Sequence, residues 1–224
     1  MIMVYHRVKY THLKPAVSGM RNPLIIRKKP VKGRVKRKYG GHFMKVYAFM
    51  ADGLEEVECL TVVDLLRRAG IETVLTSISG KEVITGAHGI KITSDVLMEE
   101  ISETEEDVLF LPGGMPGTKN LAACKTLTDK LIAHNAKGGR IAAICAAPTV
   151  FGELGFLKGK KAVCYPGMED GLIGATVLTD KVVTDGNITT SRAMGTAMEL
   201  GLELVRILAG ADASDSLRSG IVAD

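Results

Sequence analysis

The stretch Gly139 to Pro148, G-R-I-A-A-I-C-A-A-P, carries the most chemistry in the chain. Ile141 to Ile144 is a short apolar run of the kind buried on both faces of a sheet. Cys145 follows at once, and Ala146, Ala147 and Pro148 suit the first turn of a helix. A strand that turns straight into a helix at a cysteine forms a nucleophile elbow. The tight turn lifts the thiol out of the sheet and sets it beside unpaired N–H groups at the positive end of the helix dipole, which favours thiolate over thiol. Packing as a small buried hydrophobe is the competing reading of the same ten residues.

A thiol that does chemistry needs partners, and Glu58 is the first candidate. It shares a helical face with Val62 at i+4 and Leu65 at i+7, the face that meets the sheet. A carboxyl there is poorly solvated, so its pKa should rise until it can hold or pass a proton near neutrality. For Glu55 and Glu56, compensation of the helix dipole is a sufficient explanation. Gly113-Gly114-Met115-Pro116-Gly117 matches neither a dinucleotide fingerprint nor a phosphate loop. Its backbone N–H groups can still face a ligand, so the Gly114 amide with that of Ala146 could form an oxyanion hole. A protease or glutaminase would pair the thiol with histidine. Beyond residue 43 the histidines are His88, in a hairpin excursion, and His134, read as a solvated helix residue. Cys59, Cys124 and Cys164 read as packing thiols, with Cys164 the first exception to consider.

These residues need a frame. From Met44 the pattern alternates: strand Val46 to Met50, helix Glu55 to Ala69 closed by Gly70, strand Glu72 to Ile78, and a hairpin within Gly80 to Thr93. Strand Asp107 to Leu111, helix Thr126 to Ala136 and the elbow follow. Short strands come near Ala162 to Cys164, Val182 to Thr184 and Ile188 to Thr190, and a helix from Ala193 to Leu208 packs last. Strands alternating with helices imply an α/β fold with a mainly parallel sheet covered on both faces. Sites in such folds sit at the carboxyl ends of the strands, where Ala51 to Glu58, Pro112 to Gly117 and Cys145 all fall.

Composition narrows the function classes. With 224 residues and 46% apolar content the chain is long enough for one sizeable core. Residues 1 to 43 hold twelve of the 29 Lys and Arg and no Asp or Glu. The remaining 17 basic residues face 25 acidic ones, so Met44 to Asp224 carries a net charge of −8, which argues against nucleic-acid binding through bulk charge. Four scattered cysteines without a C-x-x-C pair read as cytosolic thiols, with neither a disulfide framework nor a zinc site. No apolar run is long enough to span a bilayer.

The joint occurrence of A-D-G-L-E-E-V-E (Ala51 to Glu58), F-L-P-G-G-M-P-G (Phe110 to Gly117), A-A-I-C-A-A-P (Ala142 to Pro148) and T-S-R (Thr190 to Arg192) resembles the DJ-one (ThiJ/PfpI) superfamily. The branch it is most similar to holds the parkinsonism-associated deglycase and glyoxalase III-like proteins. The resemblance covers Met44 to Asp224 as a single domain. It implies a flavodoxin-like three-layer α/β sandwich, akin to the class I glutamine amidotransferases, and a homodimer. Cys145 matches the nucleophile and Glu58 its acid partner, with Gly113, Gly114 and Ala146 at the oxyanion-binding loop and turn. Arg192 matches an arginine near the site, and His88 falls where relatives carry a dimer-interface arginine. Tyr165, before Pro166, stands where some members have a histidine, which disfavours a Cys-His peptidase.

The expectation is a cytoplasmic, cofactor- and metal-independent glyoxalase or deglycase acting on a small aldehyde such as methylglyoxal, with no membrane partner. A redox-sensing, chaperone-like protein whose Cys145 oxidises to sulfinate is the alternative, and a thiol peptidase a weaker third. Residues 1 to 43 could be a nucleic-acid arm or an Arg-rich transit peptide. The preferred reading is that they are not translated in the cell. Gly40-Gly41 encoded as GGA-GGA would be a purine-rich ribosome-binding sequence, and the His42 and Phe43 codons a short spacer before Met44. The native protein is then expected to start at Met44; an intact mass that includes the extension, or codons 40 and 41 lacking the purine run, overturns this.

Overall fold

Strands that are apolar at every position have no face to give to water, so both faces must be covered. In the computed structural model, which describes residues 38, 39 and 42–223, that is how the sheet is built. The strands are Lys38–Tyr39 (β1), His42–Phe43 (β2), Lys45–Met50 (β3), Glu72–Ser77 (β4), Val83–Thr85 (β5), Lys91–Thr93 (β6), Val96–Leu97 (β7), Val108–Leu111 (β8), Arg140–Ile144 (β9), Lys161–Ala162 (β10), Thr176–Val177 (β11), Val182–Asp185 (β12) and Ile188–Ser191 (β13). The helices are Glu56–Arg68 (α1), Gly117–Ala123 (α2), Lys125–Ala136 (α3), Pro148–Glu153 (α4), Ala197–Ala209 (α5) and Ala211–Gly220 (α6).

Seven strands form the central sheet in the order β12-β13-β9-β8-β3-β4-β7. Every neighbouring pair is parallel except β12 with β13. Alternate residues of each strand enter opposite core layers. Val46, Ala48, Met50, Val108, Phe110, Ala142 and Ile144 pack with Val62, Leu66, Leu200 and Leu204 of α1 and α5. Tyr47, Phe49, Leu109, Leu111, Ile141 and Ala143 pack with Leu121, Leu127, Leu131 and Phe151 of α2, α3 and α4. The flavodoxin-like three-layer sandwich is therefore the observed fold.

Two differences concern the carboxyl-terminal part. Ala193 to Thr196 is not α-helical: Met194–Thr196 is a 3₁₀ turn and α5 starts at Ala197. Nor does α5 pack last, because Gly210, at φ 102°, ends it and the chain restarts as α6. The inner face of α6 is made of Ala213, Ser214 and Leu217, and Ser214 donates to the Leu202 carbonyl at 2.9 Å; so few apolar residues give no readable period. The short helices α2 and α4 also flank the sheet, one opening on glycine and the other on proline. The excursion after β4 is the antiparallel hairpin expected, with β5 paired to β6. β1 and β2 pair antiparallel; the expectation for residues 1 to 43 otherwise lies outside the described residues. No helix among the described residues is long and apolar enough to cross a membrane.

Phe110 is fully buried between the sheet and the α1/α5 layer. Phe110→Ala is expected to cost about 3–5 kcal/mol in urea unfolding, the scale of a truncated core aromatic.

Candidate active site

Three strand ends meet here: β3, whose loop leads into α1; β8, ending at Pro112-Gly113-Gly114; and β9, ending at Cys145. Their adjacency in the parallel sheet brings residues 58, 113 and 145 together across large separations in sequence. Cys145 has φ 64°, a left-handed conformation that costs a non-glycine residue about 1–2 kcal/mol. Two backbone bonds hold it there. Its N–H donates to Ser191 O at 3.0 Å, and its carbonyl accepts the Tyr165 N–H at 2.8 Å. Strand alternation would send residue 145 to the α2–α4 layer with Ile141 and Ala143. The turn instead places Cys145 against the α1/α5 layer, on the side of Glu58.

Glu58 is buried on α1, as its spacing from Val62 and Leu65 requires. Its Oε2 accepts the Gly113 N–H at 3.0 Å. The Met194 amide also bonds to the carboxyl, and the carboxyl and the Cys145 thiol share a hydrogen bond. Burial is the largest influence and raises the carboxyl to about 7, helped by the Glu55 charge and opposed by these hydrogen bonds. Cys145 departs from expectation. Burial first, then the charge and hydrogen bond of Glu58, push its thiol up to about 12 against the Gly114 and Ala146 amides. The helix after the elbow has six residues and begins only at Pro148, so its dipole does not outweigh the carboxylate. Both groups are thus harder to ionise than usual, and they titrate as a coupled pair. Once Glu58 is protonated its charge no longer opposes the thiolate, and it can donate to sulfur.

Gly113 and Gly114 make this closeness sterically feasible. A Cβ on Gly113 would lie 2.6 Å from the Cys145 Cβ, 2.6 Å from Glu58 Oε2 and 2.8 Å from the Ile144 carbonyl. Gly114 has φ 90°, and a Cβ there would lie 2.2 Å from the Glu55 nitrogen. The loop is tied to the start of α1 by Glu55 N–H to Gly113 O at 2.9 Å and Gly117 N–H to Gly53 O at 3.0 Å.

The remaining candidates make their bonds elsewhere. Arg192 donates to Thr179 O at 3.3 Å. Burial and Glu169 raise the Cys164 thiol to about 11, and the Arg192 charge works against them. Tyr165 is exposed and reaches Cys145 through its backbone amide. His88 lies on Glu56, with Nδ1 2.9 Å from Oε2. Glu56 is more than dipole compensation: it is buried and accepts the N–H groups of His88 at 2.9 Å and Ile90 at 3.4 Å. His134 is buried, not solvated, with Nε2 3.2 Å from the Arg140 carbonyl. It continues the Leu127, Leu131 stripe of α3 and fills the space over Gly139. The Met194 amide was not foreseen, since a backbone donor leaves no mark in a sequence.

The DJ-1/PfpI family pattern matches residues 44–207. The chain is 40% identical over 169 residues to protein DJ-1 homolog B of Arabidopsis thaliana, covering 74% of this chain and 38% of that protein. It is 34% identical over 165 residues to glutathione-independent glyoxalase DJR-1.2 of Caenorhabditis elegans, covering 73% of this chain and 87% of that one. The chain thus spans little more than a third of the plant relative and most of the nematode one. Among solved structures, oxidized Toxoplasma gondii DJ-1 superposes with a TM-score of 0.76 at 31% identity, covering 80% of this chain and 98% of that one.

Because folding raises the Glu58 carboxyl from 4.5 to about 7, its contribution to stability is full below pH 4.5 and is lost as pH rises to about 7. Wild type is expected to lose stability relative to Glu58→Gln across that window, read by urea unfolding at each pH; parallel curves count against the raised carboxyl. The same variant removes the charge that holds the thiol up, so Cys145 should be alkylated faster than in wild type at pH 8, read by mass spectrometry.

Proposed function

We propose that this chain, which belongs to the DJ-1/PfpI family, is a cofactor-independent glyoxalase with related deglycase activity, acting on small 2-oxoaldehydes such as methylglyoxal. The observation that carries this reading is the buried Glu58 carboxyl, bonded to the Gly113 N–H and set against the Cys145 thiol across that glycine. Both histidines of residues 44–223 are committed elsewhere, His88 to Glu56 and His134 to the Arg140 carbonyl. A thiol paired with a carboxylic acid suits carbonyl addition and proton transfer at carbon better than expulsion of a peptide amine. The glyoxalase among the relatives supports the same class of reaction.

With the proton on Glu58, the Cys145 thiolate adds to the aldehyde carbon. The alkoxide, held by the Gly114 and Ala146 amides, takes the Glu58 proton and becomes a hemithioacetal. The Glu58 carboxylate then removes the hydrogen from the former aldehyde carbon while the hydroxyl proton on that carbon passes to the neighbouring carbonyl oxygen, giving an enediolate. It returns a proton to the neighbouring carbon, and the first carbon becomes a thioester carbonyl. Water hydrolyses the thioester, releasing lactate and the thiol. A carboxyl near 7 exchanges its proton readily at neutral pH, as both halves of this shuttle require. Deglycation would use the same thiol on an early glycation adduct.

The reading extends to the assembly and compartment. Val57 and Leu60 lie one turn apart on the exposed side of α1, leaving an apolar strip suited to a second copy of the chain. The four cysteines are free, which fits a reducing cytoplasm. A second reading has its own support. The amides and carboxyl around the sulfur would also hold the oxygens of a sulfinate, making Cys145 a redox sensor.

Lactate formation from methylglyoxal is expected for wild type, with Cys145→Ser at background and Glu58→Gln lowered by at least about 100-fold, the range of a lost general acid–base. Equal rates in all three sink the enzyme reading. Peroxide-dependent sulfinate at Cys145 without aldehyde turnover puts the sensor reading in its place. Val57→Glu with Leu60→Glu should shift the protein from dimer to monomer in sedimentation.

A further inference from the structure

Between β13 and α5 the chain runs Arg192-Ala193-Met194-Gly195-Thr196, and Ala193, Met194 and Gly195 carry no side-chain donor that could hold a turn in place. The segment must nevertheless be fixed, because it brings the Met194 amide to the Glu58 carboxyl. Thr196 closes it. Its N–H donates to the Ala193 carbonyl at 2.8 Å, and its Oγ1 accepts the Ala193 N–H at 3.0 Å. The same Oγ1 lies 2.7 Å from Ser191 Oγ, which in turn donates to the Lys181 carbonyl at 2.9 Å. That carbonyl also receives the Arg192 N–H at 3.3 Å, so both ends of the segment are tied to the residue that precedes β12.

Ser191 is fully buried at the end of β13, and its own carbonyl accepts the Cys145 N–H at 3.0 Å. One residue therefore meets the thiol's turn through its backbone and the acid's donor segment through its hydroxyl. We propose that Ser191 and Thr196 are positioning residues, whose paired hydroxyls lock the strand end that holds Cys145 to the turn that carries the Met194 amide to Glu58. Their part in catalysis rests on the glyoxalase reading above; their hold on the thiol and the acid rests on the bonds themselves.

An N–H aimed at a carboxyl favours its ionised form, so the Met194 amide helps set the pH at which Glu58 passes from acid to base. The titratable groups that face Glu58 are Cys145, at the end of β9, and Glu55, at the start of its own helix. Both stay in place when a hydroxyl of the chain is removed. Released from Thr196, the turn takes the amide away and the carboxyl ionises at higher pH. A hydrogen bond to a charged group acts on the scale of about one to two pH units.

The test is the pH dependence of Cys145 alkylation by iodoacetamide, read on the Cys145 peptide by mass spectrometry so that the other cysteines do not contribute. Wild type is expected to reach a plateau near pH 7, where ionisation of Glu58 begins to oppose the thiolate. Thr196→Val keeps the volume and loses the hydroxyl, and should move the start of the plateau up by about one pH unit. Thr196→Ser should leave it at the wild-type position. Ser191→Ala should move it the same way as Thr196→Val, and the double variant no further than the larger single change, since both act through one chain. The proposal is overturned if wild type shows no plateau, if Thr196→Val leaves it in place, if Thr196→Ser moves it as far as valine does, or if the two single shifts add. Loss of folding in both Thr196→Val and Ser191→Ala, read by circular dichroism, overturns it too, since the hydroxyls would then serve the fold alone; where one folds, its plateau decides. Absence of lactate formation by wild type sinks the glyoxalase reading and leaves the alkylation profile to decide the positioning role.

Discussion

The site depends on one backbone conformation, the left-handed turn at Cys145. Without it the side chain would follow strand alternation into the α2–α4 layer, away from Glu58 and from the Gly114 amide. The local cost of about 1–2 kcal/mol is offset by bonds that only the assembled sheet supplies: Ser191 from β13 receives the Cys145 N–H, and the Tyr165 N–H comes from the segment after β10. A sequence change distant from residue 145 that shifts β13 would therefore reach the thiol through Ser191.

Placed on that side, the thiol meets a carboxyl that is itself hard to ionise. Desolvation raises both groups; the carboxylate raises the thiol further, while the thiol's hydrogen bond holds the carboxyl down. The result is a buried pair in which an ion on either member is costly. The amides of Gly114 and Ala146 favour the state with charge on sulfur, those of Gly113 and Met194 the state with charge on Glu58. Burial comes first for both groups and neighbouring side chains second, Glu55 acting on the carboxyl and Glu58 on the thiol; the backbone donors then oppose the rise. Gly113 enters twice, as a donor and as the absent Cβ that allows thiol and carboxyl to touch.

Much of this is legible in the sequence alone. Ile141 to Ile144 reads as a doubly covered strand because burial on two faces leaves an unbroken apolar run. Glu58 reads as a buried acid because its helical neighbours Val62 and Leu65 are apolar. What could not be read comes from partners distant in sequence. His134 is buried through the Arg140 carbonyl and a bare Gly139, although its spacing from Leu127 and Leu131 was a usable sign. Glu56 is buried by a hairpin that begins almost thirty residues later. The thiolate expected from the helix start failed for a different reason: a nearby carboxylate and desolvation exceed what one short helix end provides.

Folding has an unexpected effect on the chain's cysteines. Burial leads the causes that lift Cys59 to about 12, Cys145 to about 12 and Cys164 to about 11, all from an ordinary value of 9.0. The extended chain emerging from the ribosome, or one partly melted in storage, therefore exposes more thiolate than the finished protein does. Its native architecture acts as a mask that silences indiscriminate thiol reactivity, and mixed disulfides in an ageing sample would report the unfolded minority before any loss of the folded majority was visible.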